Sequence, residues 1–247
     1  MSHPSIALQL YSLREEIKAD FTRTVDEVAQ LGYTGVELVS YGNLDAASAN
    51  TALRNAGLAV AGMHALRERL RHEFNRVVDE ALLLGATEIV CPWWPPEEFI
   101  TVGVVEQIGR ELDEIGSRLH EHGLLLSYHN HRAECRRLEG RPILSWLMGA
   151  AAPRNLGLEL DVYWAHVGEY EPSKFLYEQG DRVRLLHMKD EKVIGDGPVS
   201  FDVILEAVEK IGSVEWYIVE QETFDEAPIT SVKRSLERLQ AKIQQRG

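Results

Sequence analysis

LGLELDVYWAHVGEYEPSKFLYEQGDRVRLLHMK, residues 156–189, decides how the chain is read. The stretch holds two apolar runs, LELD and RLLH, each ending on a polar residue, Asp161 and His187, 26 positions apart. That interval is close to one strand-plus-helix unit, the connection that two parallel strands require. The same pattern recurs outward in both directions as GVEL, VAGMH, LLLSYH and YIVE. Eight strands are expected: Ile6–Leu10, Val36–Val39, Ala59–His64, Glu88–Pro92, Leu124–His129, Leu156–Val162, Val183–His187 and Tyr217–Glu220. Between them apolar residues recur at helical spacing, as in Phe21, Val25, Val28, Ala29 and Leu31, or Val104, Ile108, Leu112, Ile115 and Leu119. Gly32, Gly57, Gly85, Gly123 and Gly212 each stand where a helix should close before the next strand.

Eight such units in 247 residues are the size of a closed (β/α)8 TIM barrel, an α/β fold. A doubly wound open sheet carries a glycine-rich nucleotide loop after its first strand. Here that position reads QLYSLREE, without glycine. No Pro/Gly/Ser linker or low-complexity segment divides the chain, so residues 1–247 are expected to form one domain.

Composition narrows the function. With 45% apolar and 26% charged residues the chain sits at globular averages, which excludes wholesale disorder. No run approaches the ~18 apolar residues of a membrane span, and the start, MSHPSIALQL, does not read as a secretory signal. Two cysteines, Cys91 and Cys135, make no disulfide framework, so a reducing cytoplasm is expected. A net charge of −13 argues against nucleic acid as a ligand. The basic cluster Arg67, Arg69 and Arg71 is interrupted by Glu68 and reads as a solvated helix face.

In a barrel, chemistry sits at the C-terminal strand ends. Those ends read Gln9, Glu37, His64, Cys91, His129, Asp161, His187 and Glu220. The last four supply two imidazoles and two carboxylates, a suitable shell for one divalent ion. Such mixed ligation suits Mn²⁺, Co²⁺, Fe²⁺ or Zn²⁺ better than Mg²⁺. Residues two apart share a strand face, so His131 joins His129, Lys189 joins His187, Glu222 joins Glu220 and Glu159 precedes Asp161. Lys189 is placed either to stabilise a developing oxyanion or to pair with Asp190 or Glu191. Glu37, His64, Glu134, Trp164 and Glu222 are the expected substrate contacts, with Trp93, Trp94, Tyr128 and Tyr163 also near the rim. The segment GDGP, residues 195–198, reads equally as a phosphate loop or an ordinary turn, and no Arg or Lys cluster nearby supports a phosphate site.

Six segments in order, GYTGVEL (32–38), SYHNHRAE (127–134), LELDVYW (158–164), LLHMKD (185–190), GDGPVSF (195–201) and YIVEQE (217–222), resemble the sugar phosphate isomerase/epimerase family of xylose-isomerase-like barrels, in a YHNH variant branch. The resemblance implies a single divalent metal held by Glu, Asp, His and Glu from strands five to eight. Asp161, His187 and Glu220 match that pattern, while His129 stands at the first position. In the family's epimerases the two glutamates exchange the substrate proton from opposite faces. That symmetric scheme does not carry over to a chain with His129.

The expected function is a metal-dependent isomerase or epimerase that abstracts a proton beside a polarised carbonyl of a sugar or keto-sugar. Glu220 is the expected base, Lys189 the enediolate stabiliser, and His131, Glu134 or Glu222 the second acid/base. Two alternatives stay open on the same residues: a keto-sugar or inosose dehydratase or lyase, and a non-catalytic carbohydrate-binding barrel. An endonuclease-IV-like repair enzyme would need a basic rim, against the net charge. A small carbohydrate is the expected partner, with a homo-oligomer as a further possibility.

Overall fold

The computed structural model describes residues 3–246. Eight parallel strands, β1 (Ser5–Gln9), β2 (Gly35–Leu38), β3 (Ala59–His64), β4 (Glu88–Cys91), β5 (Leu125–His129), β6 (Gly157–Asp161), β7 (Val183–Lys189) and β8 (Trp216–Glu220), close into a barrel. Each strand pairs with its neighbours in sequence, and β1 closes the ring on β8. The expected strands all lie within two residues of the observed ends. A two-stranded hairpin, Arg137–Leu138 with Arg141–Pro142, interrupts the alternation between β5 and β6.

The helices form for the reasons the spacing gave. Val102–His120 buries Val105, Ile108, Leu112, Ile115 and Leu119 on one stripe, and Thr101 accepts the Val104 N–H at its start. Asp20 and Asp45 cap Phe21–Leu31 and Ala46–Ala56 in the same way. Among the described residues no helix is long and apolar enough to cross a membrane.

Two cores result, of very unequal size. The large one lies between the barrel wall and the helices, where both strand faces and helix stripes are apolar. The small one lies inside the barrel and consists of Ala7, Ala61, Val90, Leu185 and Ile218, with Trp216 against it. Ala7, Leu185 and Ile218 stand two residues before Gln9, His187 and Glu220, so alternation carries those polar side chains into the barrel just above this plug. β4 is the exception. Val90 enters the inner plug and Cys91 belongs to the outer core, so the expected polar strand end at Cys91 contributes nothing to the mouth.

Candidate functional site

Above the apolar plug the barrel interior turns polar in two layers. Glu37 is the hub of the lower one. Its Oε2 accepts from the Gln9 amide and lies 2.7 Å from His187 Nε2 and 3.1 Å from His64 Nε2. Glu159 Oε2 stands beneath the same rings, 3.3 Å from His187 Nε2, 3.4 Å from His64 Nε2 and 3.0 Å from His129 Nδ1. The last contact is close but off the hydrogen-bonding direction, and His129 Nδ1 is left without a partner. Backbone shape makes room for this layer: a Cβ at Gly62 would come within 2.5 Å of Glu37 Oε1.

Electrostatics fix the charges of this layer. Burial alone would raise the Glu37 pKa, but the His64 and His187 imidazoles hold it well below the usual carboxylate range. Burial alone would lower His64, yet Glu37 and Glu159 raise it to about 10. His187 is raised well above its ordinary value by Glu159 and Glu37, again against burial. Glu37 thus faces two imidazoles that it helps keep protonated, whereas burial and the nearby Glu37 carboxylate raise the Glu159 pKa.

The upper layer is the mouth. His187 is shared between layers, for its Nδ1 points up, 3.2 Å from Glu220 Oε2 and 3.9 Å from Asp161 Oδ2. Donor atoms of His129, Asp161 and His187 all lie within 4.8 Å of one another. Glu220 adjoins that group through His187, and its Oε2 also accepts from Lys189 Nζ at 3.0 Å. Asp161 is held from below by its fold position. Its Oδ1 accepts the Trp164 N–H at 2.7 Å, capping the helix Val162–Val167, while Oδ2 is buried without any partner. Burial pushes the Asp161 pKa up to about 7, with Lys189 pulling the other way. Lys189 brings Glu220 well below the ordinary range in spite of burial. His129 is held well below its ordinary value, chiefly by burial and then by His187.

Lys189 settles one open choice. It pairs with Glu220 and with Glu222, at 2.7 Å, rather than with Asp190 or Glu191, and its ammonium lies 4.9 Å over the Trp164 ring. A cavity of about 490 Å³ opens above, and His64, His131, Glu220 and Glu222 reach its wall. Burial lowers the His131 pKa to about 4, so this ring is a neutral proton acceptor at pH 7.

Two expected substrate contacts are instead internal. Glu37 is fully buried under His187. Glu134 is buried too, accepting from the Tyr128 hydroxyl at 2.6 Å and from the His131 N–H at 3.0 Å, which fixes the loop rather than facing the cavity. Trp164 stands beside His131, with a buried indole Nε1 that finds no protein partner.

Three residues that sequence reasoning gave no role hold the site in shape. Gln9, a strand end, donates to Glu37 and lies 3.3 Å from His64. Asn130 accepts the Asp161 N–H at 3.0 Å, tying β5 to β6 directly beneath the unpartnered carboxylate oxygen. Asp190 accepts the N–H groups of Glu191, Gly195 and Gly197. The GDGP segment is therefore a turn folded around a carboxylate, its inward N–H groups already taken. Gln9 and Asn130 act through contacts to other strands and Asp190 through a turn that closes on it, and linear spacing carries neither.

The fold and this mouth define a (β/α)8 barrel with a buried histidine–carboxylate cluster at its C-terminal end. Residues 25–242 match the xylose isomerase-like TIM barrel family, and the chain belongs to that family. Among solved structures it is similar to a sugar phosphate isomerase/epimerase from Parabacteroides distasonis, with 24% identity over 98% of this chain and 97% of that one and a TM-score of 0.86. A D-allulose 3-epimerase from Methylomonas sp. gives 13% identity, 98% and 99% coverage and a TM-score of 0.78. The probable 3-DHS dehydratase AsbF from Bacillus anthracis gives 13% identity, 96% and 98% coverage and a TM-score of 0.77. At these identities the likeness is one of fold. No curated protein matches the sequence itself.

Proposed function

We propose that the chain is a divalent-metal-dependent isomerase or epimerase of a sugar or keto-sugar, working in the cytoplasm. The observation that carries the reading is Asp161, anchored through Oδ1 and left with a buried, unpartnered Oδ2 facing His187 Nδ1. A buried carboxylate oxygen without a hydrogen-bond partner is costly unless something positive meets it. His129, Asp161, His187 and Glu220 are the residues that would hold such an ion, and Mn²⁺, Co²⁺, Fe²⁺ or Zn²⁺ suits that donor set. When bound, the ion supplies Lewis-acid polarisation of a carbonyl and acidifies the neighbouring C–H.

The chain's own residues divide the remaining work. Glu220, ionised and lining the cavity, accepts the proton. Lys189, held between Glu220 and Glu222, offers its charge to the developing enediolate oxygen. His131, neutral and on the same wall, is the second proton-transfer group. Glu37 orients His187 from below.

His129 in place of a second carboxylate favours one competing outcome. With an imidazole rather than a carboxylate at the β5 end, the enediolate can expel a β-substituent instead of being reprotonated, giving a dehydratase or lyase. Two measurements test the proposal. Metal analysis of Asp161→Ala and His187→Ala should show loss of the bound ion, and unchanged metal in both would overturn the ligand set. Solvent deuterium exchange into a panel of ketoses should occur in the wild type and drop by at least about a thousandfold in Glu220→Gln. Exchange at the wild-type rate in that variant removes Glu220 as base. Mass loss from the substrate identifies the lyase branch.

A further inference from the structure

The cavity over the metal-type cluster has two unlike walls. On the β5 and β8 side it is lined by His129, His131, Glu220 and Glu222. On the β1 to β4 side the apolar residues Tyr11, Val39, Leu66, Pro92 and Trp93 line it above Gln9, His64 and Arg69. Tyr11, Leu66 and Trp93 are 42%, 53% and 43% exposed, three of the largest apolar side chains that the described surface leaves open to water. Exposed apolar residues scattered singly mean little, but a cluster lining one cavity marks a binding surface.

These side chains are held in place. Trp93 lies in the segment PWWPP, residues 92–96, where prolines restrict the backbone. Its neighbour Trp94 is buried, with Nε1 donating to Glu98 and with Arg67 and Arg71 over its ring, so the loop is anchored one residue from the exposed indole. The Tyr11 N–H donates to Gln9 Oε1, and the Arg14 guanidinium stacks at 4.8 Å on its ring. A rigid, preformed aromatic wall lowers the cost of ordering on binding.

Charge excludes the other obvious occupant. Among the described residues Arg69 is the sole Arg or Lys lining the cavity, and Glu80, at 2.8 Å, and Glu73, at 3.5 Å, already take it. Lys189 is likewise held by Glu220 and Glu222. A phosphate would have to displace a carboxylate in a chain of net charge −13.

We infer that the mouth takes an unphosphorylated sugar bearing an aryl substituent, the sugar lying over the histidine–carboxylate cluster and the aryl group lying against Tyr11, Leu66 and Trp93. The inference rests on the reading of the mouth as a sugar site and names the substrate class for it. An aromatic ring offers a large, stiff apolar surface to such a wall at small entropic cost.

The experiment is calorimetric titration of the metal-loaded protein with phenyl and methyl β-glycosides of glucose, galactose and xylose, and with glucose 6-phosphate. At least one phenyl glycoside is expected to bind about tenfold or more tightly than its methyl counterpart and than glucose 6-phosphate. Trp93→Ala and Leu66→Ala should each remove most of that preference while leaving metal content unchanged. Equal or absent binding of all phenyl and methyl pairs, tightest binding by the phosphate, or a preference that survives both substitutions overturns the inference. So does a solution dimer in which Trp93 fluorescence is shielded from iodide, for the wall would then be a contact between copies. Deuterium exchange separates the two proposals: an aryl preference without exchange sinks the catalytic reading alone, and exchange without an aryl preference sinks this one alone.

Discussion

The two halves of the barrel use their strand ends in opposite directions. β5 to β8 deliver His129, Asp161, His187 and Glu220 to the mouth, where Asp161 Oδ2 is left without a partner beside His187 and Glu220. β1 to β3 deliver Gln9, Glu37 and His64, but Glu37 is sealed beneath His187 and Gln9 is bonded to Glu37. The rim of that half is then finished by aromatic and aliphatic loop residues. One half presents chemistry and the other supports it from below while offering an apolar wall above. Identical positions in a repeated βα unit thus do different work according to how far the side chain reaches and what already stands opposite.

The largest expected effect comes from breaking the supporting half. Glu37→Ala leaves the buried His64 facing Glu159 alone and His187 facing Glu159 and Glu220. Removing one partner from such a buried charged set costs about 3–5 kcal/mol. Glu220→Ala, at the edge of the presenting half, should cost far less stability, because Lys189 keeps Glu222. Urea unfolding of both variants in chelator measures the contrast. Equal losses would mean that the division between support and presentation is wrong.

Much of this division was legible in the sequence. Apolar runs ending on polar residues at near-constant intervals fixed the number of strands and the end of the barrel that carries the site, because parallel strands in one barrel must all point the same way. His129, Asp161, His187 and Glu220 were named on that argument alone, and the structure brings donor atoms of the first three within 4.8 Å of one another, with Glu220 beside His187. What spacing does not carry is height within the barrel and side-chain direction. Cys91 stands at a strand end but faces outward, since Val90 takes the interior position of β4. Glu37 and Glu134 are polar residues near the rim that turn inward to Gln9 and His187, and to Tyr128. Lys189 reaches across to β8 rather than along its own loop. Each of these depends on a partner 30 or more residues away, or on a turn whose geometry forms only once the barrel closes.

A smaller effect sharpens the comparison through pH. His64 has its pKa raised to about 10 in the folded protein, against about 6.5 for an unfolded imidazole. A folded value above the unfolded one means that the proton binds the folded state more tightly. The stabilisation is therefore complete below about pH 6.5 and is lost as pH rises through 10. Asp161, raised to about 7, contributes a loss of the same sign that is finished by about pH 7, whereas His131, lowered to about 4, contributes a gain below that pH. The buried thiols of Cys91 and Cys135, raised to about 12, add loss above about pH 8.5. The His64 share is isolated by difference. Between pH 7 and 10 the metal-free wild type should lose about 3–4 kcal/mol more stability than His64→Gln, read from denaturant midpoints. Parallel curves for the two proteins would show that His64 carries no charge in the folded state.

The smallest expected effect lies on the apolar wall, where two adjacent residues of one type are used differently. Trp94 is 1% exposed and donates its indole N–H to Glu98 at 2.8 Å, so Trp94→Phe should cost about 1 kcal/mol through the lost hydrogen bond and packing. Trp93 is 43% exposed, and Trp93→Ser should change stability by no more than about 0.5 kcal/mol in either direction, as for other surface positions. Thermal unfolding of the two variants checks the pair. A large loss from Trp93→Ser would make that side chain part of the loop's own packing, and the wall on the β1 to β4 side would then need no ligand to explain it. A neutral result leaves an exposed tryptophan on a stiff loop, beside a buried charge cluster, contributing nothing to folding, which is the condition under which binding accounts for its place.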